Sequence, residues 1–203
     1  FFRNKMKGGE NVEKLNKKGV SPVIGVILPG ARAAARSTRC GRVAVIGTAA
    51  TIDSGAYVAA IHDIDPGIHV VGLPCPMFVP LVEEGWTDNE VARLTAKEYL
   101  HQLHHIDPDI DTLVLGCTHY PLLKPLLQRV AAGIFERKIT LVDSALETAR
   151  TVKEEIQEKH IKIAYDGATE YYVTDFPERF TQVGGIFLGE NIDKAERVLL
   201  PGP

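Results

Sequence analysis

Apolar, β-branched runs recur along the chain at Val23 to Ile27, Val43 to Ile46, Ile68 to Leu73, Thr112 to Leu115 and Ile139 to Val142. Each is short and nearly continuous in apolar character, as in strands buried on both faces. The stretches between them have helical lengths. Strands alternating with helices predict an α/β fold, a parallel sheet with helices on both faces.

The clearest helix signal follows Trp86. Thr87 and Glu90 read as a capping box, and Ala92, Ala96, Tyr99 and Leu103 then recur at helical spacing, so one stripe should face the sheet. After Val142 the pattern changes. Ser144 to Glu158 reads as a helix, Ile161 to Tyr165 and Tyr171 to Thr174 as short strands around the turn signal Asp166-Gly167, and Pro177 to Leu188 as a last amphipathic stretch. A domain boundary is expected near Asp143, and Leu199 to Pro203 should be a loose end.

Of 203 residues, 45% are hydrophobic, enough to bury a core. The net charge of -3 leaves no basic field to neutralise a phosphate backbone, which excludes nucleic acid as a partner. No apolar run approaches the roughly 20 residues of a spanning helix. The opening segment has no signal-peptide pattern, so no membrane partner and a cytoplasmic location are expected. The cysteines, Cys40, Cys75 and Cys117, lack the regular spacing of a secreted disulfide scaffold and should be free thiols. The polar opening from Phe1, without an initiating methionine, has the look of a truncated chain.

Chemistry concentrates in the segment Asp111 to Leu123. A buried strand there ends in Gly116, and a helix with Pro121 in its first turn should follow. That puts Cys117 at the carboxyl end of a parallel strand, where ligands of open α/β sheets bind. A helix N-terminus beyond it favours negative charge, so the thiolate is expected to form more easily than in water. His119 could share a proton with it, and the Thr118 hydroxyl with the turn's backbone N–H groups could hold a carboxylate. A small buried cysteine beside a packing histidine is an equally good reading of the spacing.

Thr48 and Thr51 follow another strand end, either as helix N-caps or as donors to an anion at the same edge. Cys75 lies at a third strand end, before Glu83 and Glu84, one of which could tune or accept a proton, although such a pair also suits a solvated helix end. His101, His104 and His105 invite a metal reading, but His101 and His104 lie with Arg93 and Lys97 along the polar side of their helix, with no carboxylate or cysteine at ligand spacing, so no metal is expected. There is no glycine-rich dinucleotide fingerprint or phosphate loop, and no nucleotide cofactor is implied.

The strings Gly116-Cys-Thr-His-Tyr-Pro-Leu-Leu123, Pro80-Leu-Val-Glu-Glu-Gly-Trp86, Pro22-Val-Ile-Gly-Val-Ile27 with Pro29-Gly-Ala31, and Gly47-Thr48 with Thr51-Ile52 together resemble the glutamate racemases. Tyr172-Val-Thr-Asp-Phe-Pro-Glu-Arg-Phe180 is similar to that family's closing region, so the resemblance runs from about Val20 to Leu188. It implies a cofactor-independent reaction on L- and D-glutamate in which one cysteine removes the α-proton and a second, on the opposite face, returns it. Cys117 corresponds to the second cysteine, on the L-glutamate face. Thr118 would contact the substrate, His119 would assist Cys117, Glu83 would be an auxiliary carboxylate, and Thr48 and Thr51 would help bind substrate. Residues 22–143 would form the family's second α/β domain. Residues 144–203 would belong to the first, mostly missing, α/β domain, and 1–21 would be an N-terminal remnant. The product D-glutamate would feed peptidoglycan synthesis.

The family's opening Asp-Ser-Gly turn and the Asn-Thr pair after its first catalytic cysteine have no counterpart in this chain. A lone cysteine cannot serve both faces of one carbon, so the chain alone is expected to racemise poorly. Residues beyond Ser144 should expose apolar surface unless another chain covers it, which makes a homo-oligomer an expectation. Three other readings compete with glutamate racemisation. They are a cysteine-pair racemase or isomerase acting on aspartate, hydantoins or maleate, a non-catalytic remnant or anion-binding module, and a cysteine hydrolase built on Cys117 and His119.

Overall fold

The computed structural model describes residues 24–158 and 169–200. The expected strand Ile161 to Tyr165 and its Asp166-Gly167 turn lie outside them. Four strands, β1 (Arg42–Gly47), β2 (His69–Pro74), β3 (Thr112–Leu115) and β4 (Thr140–Asp143), form one sheet in the order β2-β1-β3-β4. Every neighbouring pair is parallel, so all four carboxyl ends meet at one edge.

Alternation along β1 explains how the sheet is covered. Ala44 and Ile46 join a core with Leu113 and Leu115 under α4 (Phe78–Glu83), α5 (Glu90–Ile106) and α6 (Lys124–Phe135). Val43 and Val45 join a second core with Val114 and Val142 under α1 (Ile27–Ser37) and α3 (Ala56–His62). Helices therefore flank both faces, and each fully buried Leu, Ile or Phe in these cores contributes roughly 1.5–3 kcal/mol. The expected stripe on α5 is present: Ala92, Ala96 and Leu103 are fully buried, Leu100 joins them, and Tyr99 is half-buried. A short helix α2 (Ala49–Asp53) follows β1, and α7 (Ser144–Glu158) lies against α1.

Two local expectations are corrected. Residues 24–26 form no strand, and Ile27 opens α1 instead. The run ILPGARAAARS is rich in alanine, the best helix former, and Pro29 sits in the first turn, where its missing N–H removes no helical bond. Thr87 does not cap α5 either. Asn89, directly before the first helical residue, accepts from the Ala92 N–H at 2.9 Å, and Glu90 falls at the helix start rather than three residues in.

Beyond Glu158, α8 (Pro177–Leu188) forms over the expected residues. The expected strand Tyr171 to Thr174 shortens to β5 (Tyr172–Val173), which pairs in parallel with β6 (Glu196–Arg197), an element with no apolar run to announce it.

At the amino end of the sheet, two aspartates tie the loops together. Asp111 accepts from the Thr38 hydroxyl at 2.7 Å and from the N–H groups of Arg39 at 2.6 Å and Cys40 at 3.0 Å. Asp107, almost fully buried, accepts from Arg42 Nε at 3.0 Å. Burial raises the Asp111 carboxyl, but hydrogen bonds from Thr38, Arg39 and Cys40 outweigh it and hold the group down at about 2. Cys40 is thereby fixed at the edge opposite Cys117.

Candidate active site

All four residues of β3 are buried. Gly116, next in line, donates its N–H to the Ile46 carbonyl at 2.8 Å. A Cβ at Gly116 would stand 2.9 Å from that carbonyl oxygen and 3.1 Å from the Tyr57 ring, so only glycine lets the two strand ends approach this closely. The chain then turns through Cys117, Thr118 and His119 into a 3-10 turn, Tyr120–Leu123, with Pro121 where no donor is needed. The buried Tyr120 hydroxyl donates to the Cys75 carbonyl at 2.7 Å and so clamps the β3 turn to the end of β2.

Three of the expected residues form a line on this platform. Half-buried Cys117 has its Sγ 3.9 Å from His119 Nδ1, a nitrogen that also lies 3.4 Å from the Thr118 hydroxyl. The other ring nitrogen of His119 lies 3.4 Å from Glu83 Oε1. Glu83 is the last residue of α4 and is half-buried, while Glu84 beyond it is exposed, so the two glutamates divide the roles expected of the pair. A cysteine beside a histidine beside a carboxylate can pass a proton between sulfur and imidazole while the carboxylate orients the ring.

The expected ease of ionisation is not met. Burial pushes the Cys117 thiol up, and the opposing hydrogen bonds from the His119 and Tyr120 N–H groups and the Thr118 hydroxyl do not cancel it. A helix terminus favours charge only within its first turn, and α6 begins at Lys124, one 3-10 turn beyond the cysteine.

Thr48 and Thr51 stand at the carboxyl end of β1, next to β3 in the sheet. Thr48 caps α2 by accepting from the Thr51 N–H at 3.3 Å, and the two hydroxyls lie 3.0 Å apart. The capping role is thus present at the edge where an anion would be held. Cys75 is fully buried, and burial drives its thiol far up. His101 and His105 are exposed, and His104 sets its ring edge-on to Phe135. Among the described residues, no cluster of His, Cys, Asp or Glu could hold a metal ion, and no helix is long and apolar enough to cross a membrane.

Several neighbours of the site were not singled out by spacing. Tyr57 packs under Gly116, and its phenol is pushed up by burial against a hydrogen bond with Ser144. The Ser144 hydroxyl donates to the Leu115 carbonyl at 2.7 Å. Arg179 and Phe187 reach Glu83 and His119 from α8. For Arg179 a signal existed, since it falls in the Tyr172 to Phe180 string that carries part of the resemblance.

A family model described as Asp/Glu/Hydantoin racemase matches residues 11–152. The chain is 50% identical over 191 residues to the glutamate racemase of Geobacter metallireducens, covering 93% of this chain and 68% of that protein. Among solved structures it resembles a glutamate racemase isoform from Bacillus anthracis, with a TM-score of 0.80 at 34% identity, covering 93% of this chain and 69% of the other. It also resembles the glutamate racemase of Francisella tularensis in complex with D-glutamate, with a TM-score of 0.77 at 34% identity, covering 91% and 66%. The chain spans about two thirds of the length of these relatives.

Proposed function

The chain belongs to the Asp/Glu/Hydantoin racemase family, and on that premise we infer that it serves glutamate racemisation, with Cys117 as one of two opposed proton carriers. The observation that carries this reading is the line from Cys117 through His119 to Glu83 at the carboxyl edge of a parallel sheet. As thiolate, Cys117 takes the α-proton of glutamate. As thiol, it returns one. His119 Nδ1 holds the proton of the sulfur between these states, and Glu83 faces the other ring nitrogen. Thr118, Thr48 and Thr51 bind the substrate carboxylates with hydroxyl and backbone donors. The thiol raised by burial suits the abstracting step, since the thiolate of a weak acid is a strong base toward the α-proton.

Neither other cysteine can stand opposite Cys117. Cys40 is held at the far edge by Asp111, and Cys75 is sealed in the core. A two-cysteine reaction therefore requires a cysteine other than these. In this reading residues 22–143 are the second α/β domain of a racemase, and 144–203 belong to the first. No cofactor takes part, and the product D-glutamate supplies peptidoglycan synthesis in the cytoplasm.

The test is incorporation of solvent deuterium at the α-carbon of L- and D-glutamate, with L- and D-aspartate run beside them. Exchange into one glutamate enantiomer that Cys117→Ala abolishes supports the reading. Exchange that survives Cys117→Ala removes Cys117 from the chemistry, and exchange of aspartate in preference to glutamate moves the chain to another substrate of the family.

A further inference from the structure

Glu83 offers its two oxygens to different partners. Oε1 lies 3.4 Å from His119 Nε2, and Oε2 lies 2.7 Å from a guanidinium nitrogen of Arg179 on α8. About two turns further along α8, Phe187 stands edge-on to the His119 ring, with centroids 5.2 Å apart and planes at 89°. Phe187 also packs, partly buried, against the core beneath α4 and α6. No residue of α8 is fully buried, yet the helix meets both the carboxylate and the imidazole.

We propose that Arg179 is a positioning residue of the Cys117 site, holding one oxygen of Glu83 so that the other stays aimed at His119 Nε2. The proposal rests on the reading of Cys117 as a proton carrier. An imidazole nitrogen that faces a carboxylate carries the ring proton, which leaves the other nitrogen free to accept. With the proton on Nε2, Nδ1 can take the proton of the Cys117 thiol. A Glu83 free to rotate at the end of α4 would let both tautomers form, and a ring with its proton on Nδ1 cannot accept from sulfur. The Arg179 side chain is 61% exposed, so its ion pair adds little to stability, and its effect is on where Glu83 points.

The test compares the chain with Arg179→Met, Arg179→Lys, Glu83→Gln and the Arg179→Met/Glu83→Gln double variant. Two readouts need no turnover. One is the pair of imidazole 15N signals of His119, which report the tautomer; the other is the rate of Cys117 alkylation by iodoacetamide, separated from Cys40 and Cys75 by peptide mass spectrometry. Arg179→Met should mix the tautomers and slow Cys117 alkylation by about threefold or more, within the range of a lost base contact. Cys40 should react as before, Arg179→Lys should restore most of the loss, and Arg179→Met should add nothing once Glu83 is glutamine. Wild-type behaviour of Arg179→Met in both readouts overturns the proposal, as does an undiminished effect in the Glu83→Gln background. New alkylation of buried Cys75 in Arg179→Met would mean a loosened fold and overturn it too. If the racemase reading fails instead, neither glutamate enantiomer exchanges deuterium while these tautomer and alkylation results still stand.

Discussion

The Tyr120 hydroxyl donates to the main-chain carbonyl of Cys75 at 2.7 Å, and both groups are buried. This one bond joins the ends of two strands that are not sheet neighbours and holds the turn that presents Cys117. Tyr120→Phe would keep the ring, which packs edge-on to Phe78, but leave the buried Cys75 carbonyl only the Phe78 N–H, at 3.2 Å, of its two donors among the described residues. The expected loss is about 0.5–1.5 kcal/mol, the net worth of one hydrogen bond, read as a lower urea midpoint at unchanged slope.

Gly116→Ala is expected to destabilise the chain by about 1–3 kcal/mol, because the added methyl meets the Ile46 carbonyl oxygen, which the strand pairing holds in place. The same substitution at Gly133, where a Cβ has nothing within 4 Å, should be neutral or stabilising. Paired thermal melts of the two variants make the comparison.

The Asp111 carboxyl sits at about 2 in the fold, below its ordinary 3.8. A depressed carboxylate stabilises the fold above its unfolded value, and that contribution is lost as the pH falls through the folded one. The chain should therefore lose stability between about pH 4 and 2. Melting midpoints of wild type and Asp111→Asn should converge over that window, and a constant gap between them would contradict the assignment.

Substitutions along the proton line should grade with distance from sulfur. Cys117→Ala should abolish deuterium exchange, His119→Asn should reduce it by roughly 10²–10⁴-fold, and Glu83→Gln should have a smaller effect because it acts through the ring. An Arg36→Met control on α1 should leave the rate unchanged, since among the described residues Arg36 pairs with Glu147, which has no part in the proton line.

Phe176, 67% exposed, precedes α8, Leu188, 52% exposed, ends it, and Leu146 is exposed on α7. Apolar surface of this kind favours association, so sedimentation velocity of the purified chain should show a mass that rises with concentration. A single monomeric boundary at every concentration would count against it.

Strands buried on both faces were the most legible part of the fold. Val43 to Ile46 and Thr112 to Leu115 are apolar at every position but Thr112, and such runs have few other places to go. Residues 24–27 depart from the expected strand because β-branching describes side-chain shape, while the alanine-rich run that follows draws Ile27 into a helix. β6 was invisible because it consists of two exposed charged residues, Glu196 and Arg197, with no apolar pattern to mark a strand.

Within the candidate site, Cys117, Thr118 and His119 were readable because they share one turn. Glu83 was readable only as one of a pair with Glu84, and choosing it needed the resemblance, since sequence distance hides its approach to His119. Tyr57 and Ser144 look like ordinary helix residues in the sequence; the fold shows why they matter, Tyr57 by its ring beneath Gly116 and Ser144 by its bond to the Leu115 carbonyl. The acidity of Cys117 was misjudged for a physical reason: the sequence shows the donors near a thiol but not how much water the fold takes from it.

The strand order also sets a timetable. Cys40 and Asp111 stand side by side at the amino edge although 71 residues separate them. A ribosome adding about 5–20 residues per second delivers β3 several seconds after β1. During that interval β1 can pair with β2 alone, and its other flank is a bare edge open to wrong partners. The cradle of Cys117 is thus completed only once β3 has been made, and a newborn chain needs shelter on that flank until β3 arrives.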